Sequence, residues 1–382
     1  MKTEQKKWDS EQGWRLFSAN TLPAPEKAQL VLVFGDREWI ENDSQWFERL
    51  KAFYPNAHIL SASTSGNILG VNLHDNTIVS TAIVFDKASI KTQKINITDV
   101  PNSFDAGQRL VESLPKEHLR HVFVISDGQK VNGSELVKGL TANLPSSVFV
   151  TGGLAGDGVS FQKTLVGLDT LPIPGEIAVV GFYGESLWIG FSSVGGWDAF
   201  GPERVITRSS GNTLYELDKK SALDLYKTYL GEQAEDLPGS ALLFPLAIRQ
   251  SKDETSIVRT ILNVNEQDKS MIFAGDMPEG WRAQLMRANF DRLIDGAVMA
   301  ANSSYQMLSE HQPQLAILIS CVGRRIVLDQ RIEEELEGVA DILGKKTPIT
   351  GFYSYGEIAP TAPNAGCDLH NQTMTITTFG EK

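Results

Sequence analysis

The sequence predicts a mixed α/β fold in which repeated strand–helix–strand–glycine-loop units form mixed sheets in two domains. Three observations carry this. Short apolar runs ending in glycine or small polar residues alternate with stretches whose apolar residues recur every three or four positions, the periods of buried strand and amphipathic helix. The alternation is written three times, over residues 30–85, 121–182 and 314–380. Two of those copies share one short design, Leu73-His74-Asp75-Asn76-Thr77 and Leu369-His370-Asn371-Gln372-Thr373, each followed by an apolar-rich strand.

Residues 1–27 are polar, end in Pro23 and Pro25, and read as a loosely ordered lead-in with a short helix at most. Leu30–Phe34 is the first buried strand. Ser44 is placed to cap a helix presenting Trp46, Phe47, Leu50, Phe53 and Tyr54, which Pro55-Asn56 ends, and His58–Leu60 returns as a strand. The second copy runs through Val122–Ile125, a helix capped by Ser134, and Val148–Val150. The third runs through Leu315–Ser320, a helix with Ile332, Leu336, Val339 and Leu343 inward, and a strand before Thr350-Gly351. Parallel partners need such a helical crossover, whereas the strands after each glycine loop are expected to turn back antiparallel. Between copies two and three, Val179–Phe191 reads as a hairpin. Ala222–Leu230 reads as a helix stopped by Gly231, and Trp281–Ala301 as the longest helix. A Pro/Asn/Gly turn is expected between Glu357 and Cys367. The domain boundary falls near 220, giving domains 28–220 and 221–382 after the lead-in.

A formal charge of −12 and a pI near 5.1 leave no basic stripe for nucleic acid and nothing to draw the chain to an anionic membrane. Two cysteines, Cys321 and Cys367, cannot build a disulfide framework or a four-thiolate metal site. Residues 1–20 lack a signal-peptide pattern, and no apolar run reaches a membrane span, so a cytoplasmic protein is expected. There is no Gly-x-Ser-x-Gly elbow and no His-Glu-x-x-His helix, so no catalytic residue is assigned and no enzyme is expected.

The candidate ligand residues lie in two glycine-rich loops. Gly152 and Gly153, in Thr151-Gly152-Gly153-Leu154-Ala155-Gly156-Asp157, mark either a tight turn or a backbone that approaches a small ligand; no P-loop ending follows them. Phe352, Tyr353 and Tyr355, bracketed by Gly351 and Gly356, are either core aromatics or the walls of an apolar pocket. Glu357 would orient a donor group there, or else is a solvated turn charge. His370, with His74 as second choice, is either a turn residue or a metal ligand. Counting back three from Thr164 puts Phe161 at the corresponding place of the second copy, so the turn itself does not demand an imidazole.

Taken together these segments resemble the FIST family of sensory proteins. The residues that carry the resemblance are Ser126-Asp127-Gly128, Gly152–Asp157, the Val205…Gly211-Asn212…Tyr215-Glu216-Leu217 run before Tyr226, Gly351–Ile358 and Leu369–Thr373. The resemblance implies a sensor of a small ligand, with amino acids or related metabolites as expected ligands. It also implies output through a separate partner such as a histidine kinase. In length and layout the chain is similar to a stand-alone subfamily that senses nitric oxide through haem b, and that implication would make His370 or His74 the iron ligand.

Overall fold

The computed structural model describes residues 1–18, 21–251, 256–309, 311–360 and 366–382, and the statements below concern those residues. The expected turn before Cys367 lies largely outside them. Each predicted copy contains a parallel strand pair joined by a helical crossover. The pairs are Leu30–Asp36 with His58–Thr64, Leu119–Ser126 with Phe149–Leu154, and Leu315–Cys321 with Ile349–Ser354. A third strand returns antiparallel on the free side of each opening strand: Ile78–Val84, Glu176–Tyr183 and Met374–Glu381. Buried on both faces, the three opening strands read as nearly unbroken apolar runs, which is why the sequence shows them well.

One bond pattern recurs at the end of the opening strands and fixes the alignment of the copies. The N–H groups of Asp36, Asp127 and Cys321 donate to the carbonyls of Thr77, Glu176 and Thr373, at 3.2, 3.0 and 3.1 Å. The Asp36 and Asp127 carboxylates then accept the N–H of the residue just before that carbonyl, Asn76 or Gly175, at 2.9 and 2.8 Å. Asn76, Gly175 and Gln372 all have positive φ, at 52°, 81° and 63°. The shared Leu-His-x-x-Thr design is therefore first a turn.

The strands after the glycine loops are antiparallel as expected, but each crosses onto another copy's sheet. Asn67–Leu69 of the first copy pairs with Ile349–Ser354 of the third. Val166–Leu168 of the second pairs with His58–Thr64 of the first, and Gly356–Pro360 of the third pairs with Phe149–Leu154 of the second. This cyclic exchange closes three six-stranded sheets around one shared core, to which Leu32, Phe34, Phe123, Ile125, Ile319, Phe352 and Phe379 contribute. The rings of Phe34 and Phe352 lie 4.7 Å apart there. Residues from both sides of position 220 share these sheets. The region 198–287 builds a separate eight-stranded sheet with the helix Ala222–Leu230 and its own core.

Several elements differ from the sequence reading, for identifiable reasons. The lead-in is not loose: Lys2–Asp9 and Gly13–Leu16 are strands on the edge of the first sheet. Their polar residues are satisfied inside, with Tyr54 Oη donating to the buried Glu4 carboxylate at 2.5 Å and Gln5 Nε2 to the Ile349 carbonyl at 2.9 Å. Val179–Phe191 is no hairpin, since Glu176–Tyr183 lies in the second sheet and Leu187–Val194 pairs with Met374–Glu381 in the third. Trp281–Ala301 divides into the strand Arg282–Arg287 and the helix Phe290–Gln306, capped by Asn289. The second crossover helix, Gly133–Thr141, is capped by Asn132 rather than Ser134, and Ser103–Glu112 is a further helix.

Candidate functional site

The predicted site residues are mostly framework. Gly152 and Gly153 sit inside the strand Phe149–Leu154. A Cβ on Gly152 would fall on the Val124 carbonyl oxygen, and one on Gly153 would lie 2.7 Å from Ile319, so close packing accounts for both glycines. Tyr353 is fully buried and donates to Glu335 at 3.2 Å, within a buried network in which Arg324 also pairs with Glu335. Glu357 is fully buried. It accepts from Ser354 Oγ at 2.5 Å and from the hydroxyl and N–H of Thr373 at 2.9 and 3.2 Å. Burial, only partly offset by those donors, pushes its carboxyl up to about 8.

His370 faces Glu357 across an antiparallel pair, and its Nε2 meets the Ala359 carbonyl at 2.9 Å. Burial holds its pKa below the usual imidazole value. His74 holds the same register opposite Asn67, at a sheet edge, with its ring edge-on to Phe17. The second copy pairs Val166 with Ile173 at that place, so the counterpart of the two histidines is Ile173 and not Phe161. The inference that the turn does without an imidazole survives the change of residue. Among the described residues, no histidine lines the pocket beside Tyr355, the cleft around Asp36 and Arg325, or the pockets beside Tyr226 and Phe149. A haem needs an apolar cavity of several hundred Å³ open to its iron ligand. The residues around His370 and His74 do not fit that group.

Tyr355 is the exception. Its hydroxyl donates to Asp157 and accepts the Phe161 N–H at 3.1 Å, while its ring stacks on Phe161 at 4.6 Å. This pair belongs to a wall made by residues 157–165, a segment the other copies lack, because there the glycine loop passes directly into the crossing strand. The Asp157 carboxylate ties the wall together by accepting the N–H groups of Gln162 and Lys163 at 3.0 and 2.8 Å. On one side of the wall is a pocket of about 270 Å³ that includes Tyr355 and Phe161. On the other lies an open cleft where the three copies meet.

The cleft has two adjoining lobes of about 640 and 230 Å³, which share Asp36, Ser65, Asn76, Gly158 and Arg325. The first copy supplies Asp36 and Arg37 from the end of its opening strand and the start of the helix Arg37–Asn42. Arg37 bonds Glu41 at 3.0 Å, while Glu38 and Asp157 each stand 3.9 Å away, near enough to share its charge but beyond hydrogen-bonding distance, so it keeps donors to spare. Arg325, from the third copy's helix Val322–Leu328, donates to the Ser65 carbonyl and to Asp75 at 2.7 Å. Asp36 accepts from Asn67 Nδ2 at 2.8 Å and from the Asn76 N–H, and among the described residues no cation pairs with it. Burial, with Asp75 nearby, raises its pKa.

The cleft was not legible as a site, because its residues come from five separate stretches with no motif. An internal control does pick it out. Four residues past the aligned Asp36, Asp127 and Cys321 stand Ile40 in the first copy and Val131 in the second, both buried and apolar, where the third copy has Arg325.

Among solved structures, one similar chain is a cyanuric acid hydrolase from A. caulinodans, at 9% identity, covering 94% of this chain and 91% of that one. Its TM-score of 0.35 is too low to carry any argument about fold or activity. No curated protein matches the chain. No helix of the described residues is long and apolar enough to cross a membrane. The FIST N domain model matches residues 29–220 and the FIST C domain model residues 222–360, so the chain belongs to the FIST family, whose domains are signalling-associated sensors of small ligands.

Proposed function

We propose that this protein senses a small zwitterion of the amino-acid type, bound in the cleft where the three copies converge. The observation that supports it most is the pair of arginines, Arg37 and Arg325, standing with an unpaired Asp36 around one open volume. Spare guanidinium donors suit a carboxylate, and Asp36 suits an ammonium group. A protein that needed only to close its core would continue the apolar pattern of Ile40 and Val131 at position 325.

Melting curves recorded with each common amino acid test the reading. A ligand that binds only the folded state raises the melting temperature in proportion to its occupancy. Arg37→Gln should cut affinity by about tenfold or more while leaving the apo protein within about 1 kcal/mol of wild type. A panel in which no amino acid shifts the transition would sink the proposal. The proposed output is a separate protein, with a histidine kinase as the expected partner. Autophosphorylation rates measured with and without this protein, in both ligand states, would have to differ.

A further inference from the structure

The pocket on the far side of the Tyr355–Phe161 wall lies between the second copy and the separate eight-stranded sheet. Residues 128–133 form one side of it, Phe161 and Tyr355 the floor, and Asn212, Leu262 and Phe273–Gly275 the other side. Two features of its charge stand out in a chain of net charge −12. Among the described residues, Lys130 is the one charged residue that lines it, and no carboxylate does. Directly behind its Gly275 wall lies Arg259, only 5% exposed.

Arg259 donates to two carbonyls, of Asp276 at 3.2 Å through Nε and of Leu369 at 2.7 Å through Nη1. Among the described residues no carboxylate lies within ion-pair distance of it, and its pKa is pushed down to about 10 by burial. A guanidinium buried without a direct ion pair is costly, and the two carbonyl dipoles and the more distant charges of Asp368 and Asp276 compensate it only in part. Gly275 brings it close to the pocket, since even a Cβ there would lie 2.8 Å from its Nε. The Asp276 side chain turns away to Asn132 and Lys138, at 3.2 and 3.3 Å.

We propose that this pocket is a second ligand site, for a small flat-ringed carboxylate: the anion faces Lys130 and the field of Arg259, and the ring lies against Phe161 and Tyr355. The volume suits such a molecule, and the lining combines an aromatic floor with the amide side chains of Gln129, Asn132 and Asn212. The site is distinct from the cleft of Arg37 and Arg325, with which it shares only the wall, and it stands or falls separately from the zwitterion reading.

Calorimetric titration of the full chain tests it, with benzoate, 4-hydroxybenzoate and nicotinate, each beside its neutral amide. At least one carboxylate should bind, its amide at least about tenfold more weakly. Lys130→Gln and Leu262→Glu alter exposed positions and should each weaken that binding by about tenfold or more, whereas Arg325→Gln should leave it unchanged. The proposal is overturned if no carboxylate binds at up to about 10 mM, if the amides bind equally well, or if both pocket variants bind as wild type does.

Discussion

Asn67 in the first copy and Glu357 in the third hold the same place, opposite a histidine on the neighbouring strand and fully buried. Both accept a hydroxyl three residues back, from Thr64 Oγ1 at 2.7 Å and from Ser354 Oγ at 2.5 Å. Asn67 then donates to the carbonyls of His74 and Thr77, while Glu357 accepts from Thr373. A neutral amide and an acid thus serve one structural purpose, and the acid does so with its pKa raised to about 8. What the copies hold in common is framework. What one copy has and its counterparts lack, Arg325 against Ile40 and Val131, or the wall 157–165, is where the proposed ligand sites lie.

Framework positions should reveal themselves through stability alone. Tyr353→Ala removes a fully buried ring and a hydroxyl that serves Glu335, and should cost about 3–5 kcal/mol in denaturant unfolding, with ligand affinity of the folded fraction unchanged. An affinity loss larger than the stability loss would return Tyr353 to the site.

Glu357→Gln tests whether the acid is a stand-in for an amide. The folded pKa of Glu357 lies above the unfolded value of 4.5, so the native state holds the proton more tightly. Wild-type stability from this group is therefore undiminished below about 4.5 and falls as pH rises towards about 8. The glutamine variant should match wild type at pH 4 and exceed it by up to about 5 kcal/mol above pH 8. A pH-independent difference would mean that Glu357 is ionised in the fold.

The smallest effects belong to the turn. Asn76→Val forces a branched side chain to φ 52° and should cost about 1–2 kcal/mol, whereas Asn76→Gly should change stability by less than about 0.5 kcal/mol. Equal losses would show that the Asn76 side chain, and not its backbone, is what the turn needs.

These contrasts also mark what the sequence could and could not disclose. The parallel pairs were legible because strands buried on both faces, such as Leu30–Phe34 and Leu315–Ser320, are unbroken apolar runs. Lys2–Asp9 was not, because its buried members besides Trp8 are Thr3, Glu4 and Gln5, and the partners of the last two, Tyr54 and Ile349, lie far along the chain. The recurrence of His74 and His370 was visible but pointed to a turn, and its third member, Ile173, was hidden by the inserted wall. Of the predicted ligand residues, Tyr355 alone reaches a pocket. Arg37 and Arg325 carried no local signal, since only the cyclic exchange of strands brings Arg37, Ser65, Asp157 and Arg325 around one cleft.

The most direct test gives the third copy the residue of the first. Arg325→Ile should fold, because Ile40 occupies the corresponding place and Arg325 is a partly exposed side chain with one ion pair, to Asp75. Titrated calorimetrically with the amino acid that most stabilises the wild type, the variant should bind at least about thirtyfold more weakly, the scale of losing one guanidinium from a carboxylate. Wild-type affinity in a folded Arg325→Ile protein would contradict the assignment of the cleft as the sensing site.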